Sequence, residues 1–322
     1  MPKPTAFITG LPGFAGSYLA EELLNHGYNV VGSRYDREPL DNIAAIRKQV
    51  RLVSLDILKP ERCRKLIEEI KPDYVFHLAA MASVGQSFSL ERLTFRINVE
   101  GTLNMLEASA ARKGLKRFLF ISSSDCYGLF TPKTKTLTEN QPLNPISPYG
   151  ISKAAAERAV LYFHRQYGLP VGVARSFNHS GPRQIERFAI PAFARQVALI
   201  ETGKQKPVLQ VGDLSVRRDL SDVRDIVRGY RLIAEKGHDG GIYQLCSGKA
   251  VTIQSVLDTL VSLSSKRITV KTDKTRLRKA DIPVLRGSHA KATRELGFKN
   301  EYTLKTTLID TLTYWRNKVS GR

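Results

Sequence analysis

The sequence predicts an α/β fold, a doubly wound parallel sheet carrying a smaller C-terminal α+β lobe. Three observations point there: short apolar runs alternating with amphipathic stretches, a glycine-rich turn after the first run, and a break in this rhythm near Arg175. The runs Ala6–Thr9, Asn29–Ser33, Arg51–Ser54, Tyr74–Leu78, Phe118–Ser122 and Val171–Ser176 are bounded by Gly, Pro or polar residues, as strands buried on both faces should be. Helices are expected between them at Gly13–Asn25, Pro60–Ile70, Asn98–Arg112 and Pro148–Tyr167. Right-handed crossovers then place a ligand crevice at the carboxyl ends of the strands. Beyond Arg175 the expected strands are Val208–Val211, Ile242–Leu245 and Ile268–Val270. The expected helices there are Arg187–Glu201, Asp222–Glu235, Thr252–Ser264 and Leu304–Arg316. The division reads as residues 1–175 for the first domain, with parts of the second half returning to it, and 176–322 for a lobe that closes over the crevice.

The 322 residues, 42% hydrophobic, suffice for a large core. No apolar run has the length of a membrane span and the start lacks the plan of a signal peptide, so no membrane partner is expected. Cys63, Cys126 and Cys246 are scattered without metal or disulfide spacing; they read as free thiols of a cytoplasmic protein with no metal site. The net charge of +20 suits anionic ligands, but the basic residues are spread along the chain and lack a nucleic-acid-binding signature, so no nucleic-acid role is expected.

Gly10-Leu11-Pro12-Gly13-Phe14-Ala15-Gly16 joins the first strand to the first helix. Glycines allow the sharp turn and close backbone approach that a pyrophosphate needs, and the helix N-terminus supplies donors and a positive dipole end. With a strand before it and a helix after it, this turn is expected to be a Rossmann-like dinucleotide site. At the end of the second strand an acid would select NAD(H) through the ribose 2′-hydroxyl, while an Arg accommodates the 2′-phosphate of NADP(H). Ser33 and Arg34 favour NADP(H); Asp36, two residues further on, keeps NAD(H) possible.

Tyr149 and Lys153 stand four residues apart on a predicted helix, on one face and one turn apart. An ammonium beside a phenol stabilises the phenolate, so Lys153 is expected to pull Tyr149 below its usual value of about 10. Three more stretches are expected to reach the same crevice. Leu78-Ala79-Ala80 leaves room with small side chains. Asn98 opens a helix and either contacts the cofactor or caps that helix. Ser122-Ser123-Ser124-Asp125-Cys126-Tyr127-Gly128 brings hydroxyls that can hold a carbonyl oxygen near the phenol.

Taken together, these residues resemble the extended short-chain dehydrogenase/reductase family, from end to end of the chain and with both the Gly-x-x-Gly-x-x-Gly and Tyr-x-x-x-Lys motifs in order. The resemblance implies a catalytic set of Ser123, Tyr149 and Lys153. It implies cofactor contacts from Gly10, Gly13, Phe14, Ala15, Gly16, Ser33, Arg34, Asp56, Ile57, Leu78, Ala79, Ala80, Asn98 and Phe177, besides Tyr149 and Lys153. Arg175-Ser176-Phe177-Asn178-His179-Ser180-Gly181-Pro182, the Arg218-Asp219 stretch and Leu277-Arg278-Lys279-Ala280-Asp281 look like segments of family members that act on nucleotide-diphosphate sugars. Substrate contacts are then implied for Ser83, Ser124, Asp125, Cys126, Asn178, Arg218, Arg278 and Asp281, with arginines pairing bidentately to a diphosphate. His179 reads as structural. The resemblance also implies a homodimer through the helices near Asn98–Arg112 and Pro148–Tyr167, with Leu103, Leu106, Ala154, Val160 and Tyr162 suited either to that interface or to the core.

The implied substrate is a GDP-sugar, and two branches share these motifs. A 4,6-dehydratase needs a base for the C5 proton, a Glu in the loop after the fifth strand. This chain has the shorter Asp125 there, and misplacement by about 1 Å can cost on the order of a hundredfold in rate. The expected reaction is therefore reduction of the C4 ketone of GDP-4-dehydro-6-deoxy-D-mannose to GDP-D-rhamnose, with Tyr149 as proton donor. A GDP-mannose 4,6-dehydratase is the alternative, and a nucleotide-sugar 4-epimerase comes third.

Overall fold

The computed structural model describes residues 2–36, 38–129, 136–276 and 282–321. Seven parallel strands form the main sheet: β1 (Thr5–Thr9), β2 (Asn29–Arg34), β3 (Val50–Ser54), β4 (Tyr74–His77), β5 (Arg117–Ser123), β6 (Val171–Ser176) and, from the second half of the chain, β10 (Gly241–Leu245). Their order is β10-β6-β5-β4-β1-β2-β3, so the winding reverses between β1 and β4. That reversal opens a crevice at the strand ends beside the glycine turn.

Side-chain alternation assigns each strand residue to one of two layers. Ala6, Ile8, Leu119 and Ala174 join a core with α1 (Phe14–Asn25), α8 (Val223–Lys236) and α10 (Ala290–Leu296). Phe7, Phe118, Phe120, Val171 and Val173 join the opposite core with α2 (Pro60–Ile70), α5 (Gly101–Ala110) and α6 (Pro148–Tyr167). The first helix starts at Phe14, with Gly13 as its extended cap. Asn98 lies inside a π-helical segment, Arg96–Glu100, which follows the short helices α3 (Val84–Ser87) and α4 (Glu91–Phe95) and runs into α5.

The smaller lobe is built on α7 (Ala189–Glu201), α9 (Ile253–Ser262) and α11 (Leu304–Ser320), packed around Phe193, Val197, Leu257, Leu312 and Trp315. In it β9 (Arg217–Asp222) pairs with β7 (Asn178–Ser180), β11 (Ala250–Thr252) and β13 (Val284–Leu285), while β8 (Val208–Val211) pairs with β12 (Thr269–Thr272). The chain does not divide cleanly at residue 175: β10 extends the main sheet beside β6, and α8 and α10 cover its face. Among the described residues no helix is long and apolar enough to cross a membrane.

Candidate active site

The glycine turn is held by backbone geometry. Gly10 has φ +71°, and a Cβ at Gly16 would lie 2.5 Å from the Gly10 carbonyl oxygen, so side chains are excluded from the turn. Gly10 N donates to Ser33 Oγ at 3.2 Å and Leu11 N to Ser33 O at 2.9 Å, which locks the turn to β2. This bare backbone at the start of α1 fits a dinucleotide pyrophosphate.

The crevice beside it has a volume of about 1800 Å³, above the usual range for a single small ligand and enough for a dinucleotide with a second ligand. Gly10, Gly13, Phe14, Ala15, Gly16, Ser33, Asp56, Ile57, Leu78, Ala79, Ala80 and Phe177 line it, as do Ser83, Ser123, Ser124, Asp125, Tyr149, Lys153, Asn178 and Arg218. Arg278 and Asp281 lie outside the described residues.

Three expected residues are placed differently. Cys126 is fully buried beneath a 3-10 turn, Ser124–Cys126, between Ser122 Oγ (3.6 Å) and the Gly150 carbonyl (3.7 Å), and does not line the crevice. Burial pushes its thiol up to about 12, so it is no nucleophile. Arg34 does not line the crevice, although its charge acts on Glu38, which does; Asp36, Glu38 and Asp41 line that end, and Ser33 Oγ is held by Gly10 N. Asn98 Oδ1 accepts from Met81 N at 2.8 Å, and its Nδ2 donates to Met81 O and to Ser152 Oγ. All its arms are committed, and it braces the Met81 loop against α6 rather than facing a ligand.

α6 carries the central residues. Ser147 caps it by accepting from Gly150 N at 3.0 Å, with Pro148 in its first turn, and this fixes the entry of Tyr149. The expected Tyr–Lys electrostatics is not what the geometry produces. Lys153 Nζ donates to the Ile121 carbonyl at 2.8 Å and lies 4.9 Å over the Phe120 ring, so one of its three hydrogens is held on β5 and the others are left for the crevice. Burial, and after it the Asp125 carboxylate, push the Tyr149 phenol well above its usual range, with hydrogen bonding to Ser123 opposing them. Burial in turn pulls Lys153 down to about 8. Ser123 Oγ donates to Asp125 Oδ2 and accepts from Asp125 N, both at 3.1 Å, so Ser123, Asp125 and Tyr149 form one polar group. This group can hold a carbonyl oxygen and deliver a proton to it.

Beneath the serine turn is a buried network that the sequence reading missed. Glu157, eight residues after Tyr149 on the same helical stripe, accepts from Ser122 Oγ at 2.7 Å and from Arg175 Nε and Nη2, the latter at 2.6 Å. Arg175 Nη1 continues to Tyr127 Oη and Glu139 O, both at 2.8 Å, and Gln244 Nε2 meets the same phenol at 2.6 Å. Arg175, read from the sequence as part of a sugar-nucleotide segment, is thus the anchor of β5 and β6. His77, likewise unassigned, joins Thr9 Oγ1 (2.9 Å) to Thr102 Oγ1 (3.1 Å), and Thr9 Oγ1 accepts from Leu78 N and Ala79 N. Burial pulls His77 down to about 3, so it is neutral and holds the crevice floor. His179 donates from Nδ1 to Phe177 O at 2.9 Å and stacks on Phe14, a bridge between lobe and glycine turn.

A parallel sheet reversed at a glycine turn, with a Ser–Tyr–Lys group at its crevice, defines a class of dinucleotide-dependent oxidoreductases. The sequence profile of the family described as GDP-mannose 4,6 dehydratase matches residues 7–311, and the chain belongs to the extended short-chain dehydrogenase/reductase family. It is 35% identical to a GDP-6-deoxy-D-mannose reductase of Pseudomonas aeruginosa over 97% of both chains. It is 27% identical to a GDP-mannose 4,6-dehydratase of Sinorhizobium fredii over 94% of both. Among solved structures it is similar to RMD of Pseudomonas aeruginosa complexed with NADPH, with a TM-score of 0.85 and 33% identity over 98% of this chain and 100% of that one. A UDP-glucose 4-epimerase of Thermotoga maritima with UDP-glucose superposes with a TM-score of 0.87 and 29% identity, over 98% and 99% of the two chains.

Proposed function

We propose that this protein reduces the C4 ketone of GDP-4-dehydro-6-deoxy-D-mannose to GDP-D-rhamnose with NADPH. The observation that carries the reading is the convergence of Ser123, Tyr149 and Lys153 on the crevice, with the short Asp125 rather than a glutamate beside Ser123. When substrate binds, Ser123 turns its hydroxyl hydrogen from Asp125 Oδ2 to the ketone oxygen and orients it. Tyr149 gives that oxygen its proton, and the elevated phenol pKa keeps the proton in place at neutral pH. When bound, the reduced nicotinamide supplies the hydride. Lys153 holds the coenzyme ribose, while Asn178 and Arg218 face the sugar and its diphosphate.

The reductase of Pseudomonas aeruginosa, aligned over nearly the whole chain, supports this reaction, and its NADPH complex supports the coenzyme; NADH is the second possibility, favoured by Asp36 and Glu38 at the ribose end. A 4,6-dehydratase is the alternative, favoured by the family profile. Against it stands Asp125, one methylene shorter than the glutamate that such an enzyme would use as base. A homodimer through α4 to α6 is supported by the exposure of Leu93, Phe95, Ile151 and Tyr162; Leu106 and Val160 are instead core residues. Three unpaired, buried cysteines suit a reducing cytoplasm.

Product analysis by mass and NMR tests the reading. The 4-keto-6-deoxy sugar nucleotide with NADPH should yield the reduced product with loss of reduced-nicotinamide absorbance. GDP-mannose with NADP should stay unchanged; conversion to the 4-keto-6-deoxy sugar would sink the reductase assignment.

A further inference from the structure

A second polar depression lies on the smaller lobe, and nothing in the chemistry above uses it. Its floor is the outward face of the ribbon formed by β8 and β12. Leu209 and Val211 are fully buried in the lobe core, so alternation turns Val208 and Gln210 outward, and with them their partners Thr269 and Lys271. The other edge of β8 is closed by α7 rather than by a strand. Gln196 of that helix accepts from Gln210 N at 2.9 Å and donates to Gln210 O at 3.1 Å. Gln205 Nε2 donates to Gln196 Oε1 and to Val208 O. Both amides spend their hydrogens within the floor, which is therefore set before any ligand arrives.

The depression has a volume of about 610 Å³, within the usual range for a small ligand. It shares no lining residue with the crevice. Arg195, Lys206 and Lys271 line it beside the three glutamines and Val208, and no carboxylate does. Among the described residues neither lysine forms an ion pair, and Arg195 meets only Glu186, at 3.7 Å with both side chains largely exposed. Such a pair is worth little, so three like charges stand around one hollow with almost nothing to offset them. The Gln210 side chain, which makes no hydrogen bond among the described residues, adds neutral donors on the same face.

We infer that this depression is a second binding site, for a free, compact polyanion of the pyrophosphate or sugar-phosphate class. Arg195 pairs bidentately with phosphoryl oxygens, replacing Glu186 by a stronger partner, and the two lysines act as point charges. The lining holds no aromatic side chain on which a nucleobase could stack, which sets the site apart from one for a whole nucleotide. A hollow of ligand size, rather than a broad basic face, suits a free anion over the phosphates of a lipid surface or a polynucleotide.

Equilibrium dialysis of full-length protein with labelled inorganic pyrophosphate, at about 20 mM salt, tests this. Lys206→Glu with Lys271→Glu reverses both charges and should bind about one equivalent per chain fewer than wild type. Because the count is a difference, it holds whether or not the crevice also takes up pyrophosphate. Lys206→Gln or Lys271→Gln alone should weaken this class of binding by about 2- to 5-fold, and Arg195→Gln by at least as much. The urea midpoints should match wild type, since these side chains are exposed or half-buried. A control, Lys48→Glu with Lys113→Glu, reverses two exposed charges outside the depression and should keep the equivalent. Equal uptake by wild type and the Lys206/Lys271 variant overturns the inference, as does the same loss in the control. It also fails if these lysines govern binding only to anionic phospholipid vesicles or to a polynucleotide, and not to pyrophosphate.

Discussion

Replacing Glu157 by Leu is the sharpest test of what holds the serine turn in place. The carboxylate is fully buried and accepts from Ser122 Oγ at 2.7 Å, from Arg175 Nη2 at 2.6 Å and from Arg175 Nε at 3.1 Å. Leu has a similar volume, so the cost is electrostatic rather than a cavity. It leaves a guanidinium whose side chain is 5% exposed with only Tyr127 Oη and Glu139 O at Nη1, and Ser122 without its acceptor. Removing one member of such a pair costs about 3–5 kcal/mol. Against a total stability of about 5–15 kcal/mol, the variant should unfold at a clearly lower urea concentration. Glu157→Leu with Arg175→Met removes both charges and should recover at least half of that loss, since an apolar pair of like volume avoids the desolvation. Activity should not recover with it. Ser122 precedes Ser123 and Arg175 precedes Ser176, so both variants should lose about tenfold or more in kcat through displaced hydroxyls. A single variant that loses less than about 1 kcal/mol, or a double variant no more stable than the single, would refute the reasoning.

Three further outcomes follow. Tyr149→Phe should cut kcat by about 10²–10⁴-fold while NADPH still binds by fluorescence titration. In a pH–rate profile kcat/KM should fall as pH rises through about 8, because Lys153, pulled down by burial, then loses the charge that holds the coenzyme; Lys153→Arg should remove this alkaline limb at reduced overall activity. Gly128→Ala should destabilise by about 2–3 kcal/mol or more in urea titration: Gly128 has φ +62°, and a Cβ there would lie 1.6 Å from the Asn144 carbonyl oxygen.

Much of this architecture is legible in the sequence because strands buried on both faces must be short, apolar and bounded by turn residues. Ala6–Thr9 and Phe118–Ser122 could be read for that reason, and so could Ile242–Leu245. What the pattern does not carry is partnership: nothing in Ile242–Leu245 says that it pairs with β6, about 70 residues earlier. The same limit governs the site. A spacing of four puts the Tyr149 and Lys153 stems on one helical stripe, yet the long Lys153 stem carries its ammonium to Ile121 O, a contact across elements. Cys126 shares its turn with Asp125, but the 3-10 geometry sends one side chain inward and the other to the crevice. Glu157 looks like an exposed helical acid in Ala154-Ala155-Ala156-Glu157-Arg158. Its one sequence signal is its position four residues after Lys153 and eight after Tyr149, on the buried stripe.

The fold cannot choose the reaction, since a reductase and a 4-epimerase superpose on this chain with TM-scores of 0.85 and 0.87. The choice must lie in the proton inventory at the ketone. A dehydratase or an epimerase begins by taking a proton from a sugar hydroxyl, and so needs a base in the resting enzyme. A reductase ends by giving one, and so needs an acid. Here the phenol is buried, and burial and the Asp125 carboxylate both push its pKa up while hydrogen bonding to Ser123 opposes them. The carboxylate that could act elsewhere as a base accepts from the Ser123 hydroxyl at 3.1 Å and is one methylene shorter than a glutamate. On the reductase reading proposed above, the discriminating feature is therefore Asp125, whose carboxylate is held close to its own turn and short of a more distant carbon-bound proton.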